Sequence, residues 1–224
     1  MATLHIYDKL QQFALFQGMS KGDLGQLVAH TRLGFHKYAP GDVVASDGRA
    51  CTALYFLIDG QLTITTSSTD RDYSVIEDVR SPQLFEPSSL FGLRPRFGST
   101  YQAHTPCSVI VIDKDEIYRL LDCFTIFRLN FINLLSAHIQ KQRAWAWRPA
   151  YTTVRQRIIH FVETHCLYPA GAKRVAIRMT QLADEVGCSR LQVSQALNQL
   201  QAEQLISLYR GGFTIGALEK LRHG

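Results

Sequence analysis

The chain has 224 residues, a formal charge of +5 and 46% hydrophobic residues, which is enough for two modest domains, each with its own core. No run is apolar enough to cross a membrane, and Met1–Phe13 lacks the basic region and apolar core of a signal peptide, so a cytoplasmic protein is expected. Five cysteines (Cys51, Cys107, Cys123, Cys166, Cys188) lie far apart without a C-x-x-C pair; zinc-ribbon and iron–sulfur spacings are excluded, and isolated thiols, mostly packed as small apolar groups, are expected.

Residues 4–31 predict two helices, the second capped by Ser20 with Leu24, Leu27 and Val28 on one face. From Phe35 to Asp113 short β-branched runs alternate with turn signals such as Pro40-Gly41-Asp42, Asp47-Gly48, Asp59-Gly60 and Ser81-Pro82. Strands are expected at Leu54–Ile58, Gln61–Thr65, Ser74–Val79, Thr100–Ala103 and Ser108–Ile112, which makes an antiparallel sandwich or barrel.

After Asp113 the period becomes helical: a short helix over Lys114–Leu121 and a longer one over Phe124–Trp147. The long helix carries Ile126, Phe127, Leu129, Ile132, Leu134, Leu135, Ile139 and Trp145 around its circumference, more apolar surface than one face against its own barrel needs. The surplus predicts a parallel seam with a second copy; the alternative is a helix fully buried within one chain. Arg148-Pro149 predicts a break and a hinge, and Tyr151–His165 a further amphipathic helix with Val154, Ile158, Ile159 and Val162 inward.

The most informative stretch is Met179–Leu200. Thr180 reads as an N-cap, Leu182, Ala183 and Val186 as an apolar stripe, Gly187 as a left-handed C-cap, and Ser189 with Gln192 as a capping box that starts a second helix two residues later. Val193, Ala196, Leu197 and Leu200 form that helix's inner face, while Arg190, Leu191, Ser194, Gln195 and Asn198 point outward. An ordinary helical hairpin shows the same pattern, but Glu203–Tyr209, Arg210-Gly211-Gly212 and Phe213-Thr214-Ile215 then read as two strands around a Gly-Gly turn, a wing. From residue 150 onward nine Lys and Arg face five Asp and Glu, so +4 of the formal +5 sits there. A basic winged helix-turn-helix predicts double-stranded DNA as partner.

A barrel, a long helix and a winged helix-turn-helix in that order resemble the catabolite-activator/FNR (Crp/Fnr) superfamily of bacterial transcription regulators. The resemblance rests on Ala14–Ser20, Pro40-Gly41-Asp42, Tyr55–Gly60, Val186–Arg190 with Val193 and Leu197, and Leu205-Ile206-Ser207. It implies an α+β chain: an antiparallel β jelly-roll, cyclic-nucleotide-binding-like sensor domain over 1–122, a dimerisation helix over 123–148 and a winged helix-turn-helix over 149–224. It also implies a homodimer, an inverted-repeat operator with half-sites about one turn apart, RNA polymerase as a partner and a small-molecule effector.

The cyclic AMP-binding members carry G-E-L-[AG] followed by R-S or R-T, the Glu for the ribose hydroxyl and the Arg for the cyclic phosphate. Here the segment reads Phe85–Phe91, with Pro87 at the acidic position and Phe97 at the arginine position. Arg96 is adjacent, and a slipped alignment would make it a phosphate ligand. An effector other than cyclic AMP is expected, and the resemblance places its pocket around Glu86, Ser88, Ser89, Arg96, Phe97, Ser99 and Thr100. No cysteine cluster suits an iron–sulfur sensor. His5, His36, His104 and His138 are haem-ligand candidates only as lone histidines, and Cys107 and Cys123 are more simply core than redox groups.

At the recognition-helix positions that read bases in well-known members stand Arg190, Leu191 and Gln195. Arg190 suits guanine, Gln195 suits adenine, and Leu191 offers only contact with a thymine methyl or the backbone. Ser189, Thr180 and Arg178 are expected as phosphate anchors, Tyr209 and Arg210 as backbone contacts of the wing, and Gln192 as held by its capping box. A barrel that is purely structural, with no effector, is the competing reading. A cupin-type metal enzyme is a third, but it needs clustered histidines, and the barrel offers only His36 and His104. No enzyme activity, metal or cofactor is expected.

Overall fold

In the computed structural model, which describes residues 2–146 and 151–221 (side chains of 2–5 and 144–146 excepted), the chain opens with helix α1 (Ala2–Leu10) and helix α2 (Lys21–His30), joined through a 3-10 turn at Ala14–Phe16. Ser20 caps α2 as expected, its Oγ accepting from the Asp23 amide at 3.0 Å, and Leu24 and Leu27 are buried. The strands that follow are β1 (Gly34–Tyr38), β2 (Val43–Ala45), β3 (Ala53–Asp59), β4 (Gln61–Ser67), β5 (Ser74–Arg80), β6 (Gln83–Leu84), β7 (Thr100–Ala103) and β8 (Cys107–Asp113). Helices α3 (Lys114–Cys123), α4 (Thr125–Ala146) and α5 (Val154–His165) come next, then β9 (Lys173–Ala176), α6 (Met179–Val186), α7 (Arg190–Ala202), β10 (Ile206–Tyr209), β11 (Gly212–Ile215) and α8 (Leu218–Leu221).

Two units emerge. The first holds Met1–Leu62, Val79–Gly98 and Gln102–Trp147; the second holds Thr63–Asp78, Ser99–Tyr101 and Arg148–Gly224. The first contains a sheet in the order β1-β8-β3-β6, whose observed pairs are antiparallel. Phe13, Phe16 and Phe56 lie at its heart with Phe127 of α4, ring centroids 5.1 to 5.5 Å apart. Asn130 pins α4 by donating its amide to the carbonyls of Leu15 and Gln17.

The inner side of α4 is Phe127 and Phe131, both buried. Its other side leaves Ile126, Leu129, Ile132 and Ile139 between 40% and 64% exposed, and Leu129, Ile132, Ser136 and Ile139 repeat at the three- and four-residue spacing of a coiled-coil seam. The hinge expected at Arg148-Pro149 lies outside the described residues, as does the side chain of Trp145. Cys51, Cys107 and Cys166 are buried, and burial pushes the Cys51 thiol up to about 11. Cys123 departs from the core reading. It is exposed at the last position of α3, three residues beyond the buried Leu120, where the helix gives way to Phe124.

In the second unit Thr153 caps α5, and its capping box with Gln156 fixes where the helix starts. Ile158, Phe161 and Val162 are buried, while Val154 and Ile159 are only partly so. They meet Leu182, Val186, Val193, Leu197, Leu200 and Phe213 in one core. The sheet runs β10-β11-β9-β5-β4, so it extends past the anticipated two-stranded wing. No single helix among the described residues is long and apolar enough to cross a membrane.

Candidate nucleic-acid interface

Helices α6 and α7 owe their placement to the turn between them. Gly187 sits at φ +61° and ψ 44°, a left-handed conformation that glycine adopts without side-chain strain. The Gly187 and Cys188 amides donate to the carbonyls of Asp184 and Ala183, which closes the end of α6. Ser189 starts α7: its Oγ accepts from the Gln192 amide at 3.3 Å, and Gln192 Oε1 accepts from the Ser189 amide at 3.0 Å. A cap of this kind stabilises a helix by about 1 kcal/mol.

The expected start of α6 needs correction. Arg178, not Thr180, is the N-cap residue, and the first turn closes with the Leu182 amide on the Arg178 carbonyl at 2.9 Å. The reason lies upstream: the Ile177 amide is held by the Gly211 carbonyl, so the extended chain ends one residue later and the helix begins at Met179. Thr180 thus lies inside the first turn, exposed, rather than capping it.

Val193, Leu197 and Leu200 are buried on one side of α7, and Ala196 only partly. Arg190, Leu191, Gln192, Gln195 and Asn198 are exposed, with Ser194 half-buried; Leu191 is 68% exposed, an apolar side chain held in solvent on the same surface as the polar ones. The first turn carries no acidic residue to oppose an anion at its N-terminus.

The wing follows from Gly212. A Cβ there would come within 2.6 Å of the Tyr209 hydroxyl and 2.1 Å of the Val175 carbonyl, so only glycine lets the Tyr209 ring lie across the strand. The Tyr209 hydroxyl donates to the Val175 carbonyl at 3.0 Å, which engages it within the sheet; burial pushes its pKa up and Arg174 pulls it down. Arg210, at the turn, is exposed.

Two arginines escaped the sequence reading. Arg157 donates to the carbonyls of Val186 and Gly187 at 3.4 and 3.2 Å and, through Nε, to Tyr151, so it ties α5 to the turn before the recognition helix. Its signal was present: position 157 falls four residues before the buried Phe161, an arginine inside an apolar stripe. Arg174 is exposed on β9 opposite Thr214, and the brevity of that strand hid it. Not all the basic excess is available to a partner. Arg157 holds the turn, Arg155 pairs with Glu203 at 2.6 Å, and Lys173 is buried against Glu77; among the described residues Arg174, Arg190, Arg210 and Lys220 stay exposed, as does Arg178, which lies 3.8 Å from Asp72.

The expected effector residues divide. Ser99 and Thr100 fall in the second unit, where the buried Ser99 hydroxyl lies 2.7 Å from that of Thr66. Glu86, Ser88, Ser89, Arg96 and Phe97 fall in the first. There Glu86, at φ +21°, leads into a 3-10 turn at Pro87–Ser89. Its Oε2 accepts from the Ser89 hydroxyl at 2.9 Å and the Gly98 amide at 2.8 Å. Phe97 is buried edge-on to Tyr55 at 5.6 Å, and Tyr55 stacks on buried Phe85 at 5.7 Å. Arg96 donates to the Gly48 carbonyl at 2.7 Å from an exposed position. Among the described residues no group of three or more His, Cys, Asp or Glu is placed to hold a metal ion.

Comparison with known proteins assigns both halves. Residues 35–123 match the cyclic nucleotide-binding domain family, and residues 156–223 match the Crp-like helix-turn-helix domain family. A cAMP-activated global transcriptional regulator from Pasteurella multocida is 21% identical over 78% of this chain and 86% of its own length. The catabolite activator protein of Thermus thermophilus has the same fold at a TM-score of 0.55, with 18% identity, 94% of this chain covered and 97% of that one. The c-di-GMP responsive global regulator CLP of Xanthomonas campestris gives a TM-score of 0.51 and 20% identity, covering 88% of this chain and 99% of that one.

Proposed function

Because the chain belongs to the Crp/Fnr superfamily of transcription regulators, we propose that it is a cytoplasmic homodimer that binds an inverted-repeat operator through α7 and answers to an effector other than cyclic AMP. The observation that carries this reading is the exposed face of α7. Arg190, Leu191, Gln195 and Asn198 are presented outward from a helix whose start is fixed by its own capping box, so their donors are free of that cap. Arg190 at the N-terminal end reads guanine, Gln195 reads adenine, and Leu191 meets a thymine methyl. Thr180 and Arg178 lie against the phosphates and the wing adds Arg210, while the hydroxyls of Ser189 and Tyr209, expected as further anchors, are engaged by Gln192 and by the Val175 carbonyl. A dimer forms along Ile126, Leu129, Ile132 and Ile139 of α4 and brings two reading helices to one operator. RNA polymerase is the partner at the promoter.

Relatives named for cyclic AMP and for c-di-GMP indicate that one barrel fold serves chemically different effectors. In this chain the segment corresponding to the phosphate cassette has its carboxylate engaged by Gly98 and Ser89, and Phe97 fills the place of the arginine. Arg96 already serves Gly48. The same self-sufficiency favours the second reading, a barrel that is structural and a regulator set by its abundance. An unbiased selection of bound DNA from a random pool, with and without cell extract, tests both. An inverted repeat enriched in either case supports the regulator, and enrichment that depends on extract supports the effector. A pool returned without sequence preference would sink the proposal.

A further inference from the structure

The sheet of the second unit continues past β9. One edge of β9 carries β11; the other takes β5 in antiparallel register, with Ser74 opposite Ala176, Val75 opposite Val175, Ile76 opposite Arg174 and Glu77 opposite Lys173. Val75 is 1% exposed and belongs to the same core as Phe161, Val175, Val193 and Phe213. The Tyr73 ring packs on Phe161 at 5.4 Å, and its hydroxyl lies 3.1 Å from His165 Nε2. Deepest of all is an ion pair, Lys173 Nζ to Glu77 Oε1 at 2.8 Å, with side chains 1% and 0% exposed. The Glu77 carboxylate also accepts from the amides of Leu167 and Tyr168, just where the chain leaves α5.

A pair buried this far costs desolvation that only full closure offsets. With the strand partly withdrawn, Lys173 would lose the carboxylate 2.8 Å from it and keep only the Ala170 carbonyl and the charge of exposed Glu219, and β9 would present a bare edge. The strand is therefore closed or open, with little between. Yet Tyr73–Glu77 lies within residues 35–123, the cyclic nucleotide-binding match, and outside residues 156–223, the helix-turn-helix match.

Building on the reading as a DNA-binding regulator, we infer that Tyr73–Glu77 is a coupling strand: it docks on β9 as one unit, and the docked form is the one that binds the operator tightly. Docking leaves Arg190, Leu191, Gln195 and Arg210 exposed, so it does not cover the reading surface. It supports the wing, because β9 holds β11 from Lys173–Ile215 to Ala176–Gly212. Strand β5 runs on through Val79 and Arg80 into the first unit, so a change in that strand is conveyed along a continuous backbone.

The test uses the full-length protein, amide hydrogen exchange and binding to the selected operator. Since coupling is reciprocal, operator added to the wild type should slow exchange at residues 74–77, outside the helix-turn-helix. Glu77→Gln, which takes that carboxylate away from Lys173, should speed exchange at 74–77 and 173–176 together, keep α7 protected, and weaken operator binding at least about tenfold. Adding Lys173→Met removes the charge imbalance and should recover most of that affinity. If Glu77→Gln does not fold, Tyr73→Ala takes its place, with the same paired loss of strand protection and operator affinity. Exchange at 74–77 that ignores the operator in the wild type overturns the inference. So does a variant whose strand opens while its operator affinity stays unchanged. A wild type that binds no DNA sinks the regulator reading itself, a result distinct from either.

Discussion

The recognition module and the cassette segment of the barrel are built on opposite uses of polar groups. In α6 and α7 the backbone is satisfied by Gly187 and the Ser189–Gln192 box locally and by Arg157 from α5, so that Arg190, Gln195 and Asn198 remain outward. Around Phe85–Phe97 the polar side chains are turned on their own backbone, Glu86 on Gly98 and Arg96 on Gly48, and aromatic rings occupy the interior. A surface that binds an external anion or base must keep donors that its own chain does not consume. The first region presents such donors on its outer face; the second turns Glu86 on its own backbone and engages one Arg96 N–H with Gly48.

The largest expected effect concerns how two recognition helices reach one operator. Leu129→Glu with Ile132→Glu puts charge into the proposed α4 seam and should give monomers in sedimentation at micromolar concentration, with operator affinity reduced by at least about a hundredfold. Leu135 is half-buried within its own chain, so Ile132 is the sharper target. A wild type that sediments as a monomer would break the two-fold operator reading.

Arg190→Ala comes next, at about 1–3 kcal/mol per half-site with relaxed preference at a single base pair. Arg178→Ala should weaken all sequences alike and lower the salt slope by about 0.9 for each phosphate it no longer neutralises. A base-substituted operator series measured on both variants separates reader from anchor. Uniform loss in Arg190→Ala would move the reading to Gln195 and Ser194.

Ser189→Ala removes the cap without touching the outward side chains, and should cost about 1 kcal/mol in denaturant unfolding with unchanged slope. The smallest effect is expected from cyclic AMP and cyclic GMP, which should give no titration heat and no shift in operator affinity. Submicromolar binding of either would erase the contrast between the regions and put Arg96 on the phosphate.

Much of this was legible without coordinates, for a physical reason. Capping boxes, left-handed glycines and apolar stripes act over three or four residues, so Ser20, Gly187 and Ser189 announce helix ends through local rules; the strands at Leu54–Ile58, Thr100–Ala103 and Ser108–Ile112 follow from alternation and turn residues. The start of α6 eluded that logic because a hydrogen bond from Ile177 to Gly211, more than thirty residues away, decides where the extended chain stops.

By itself the sequence determined the order of elements and the outward face of α7, since short-range periodicity and capping chemistry suffice for each. Only tertiary structure decided which basic groups stay exposed, because Arg157 and Lys173 are consumed by partners distant in the chain: the carbonyls of Val186 and Gly187, and the carboxylate of Glu77. Only it decided, too, that β5 completes the sheet of the DNA-binding half. The pairing of Glu77 with Lys173 joins residues 96 positions apart, and no local pattern along the chain encodes a partner at that distance.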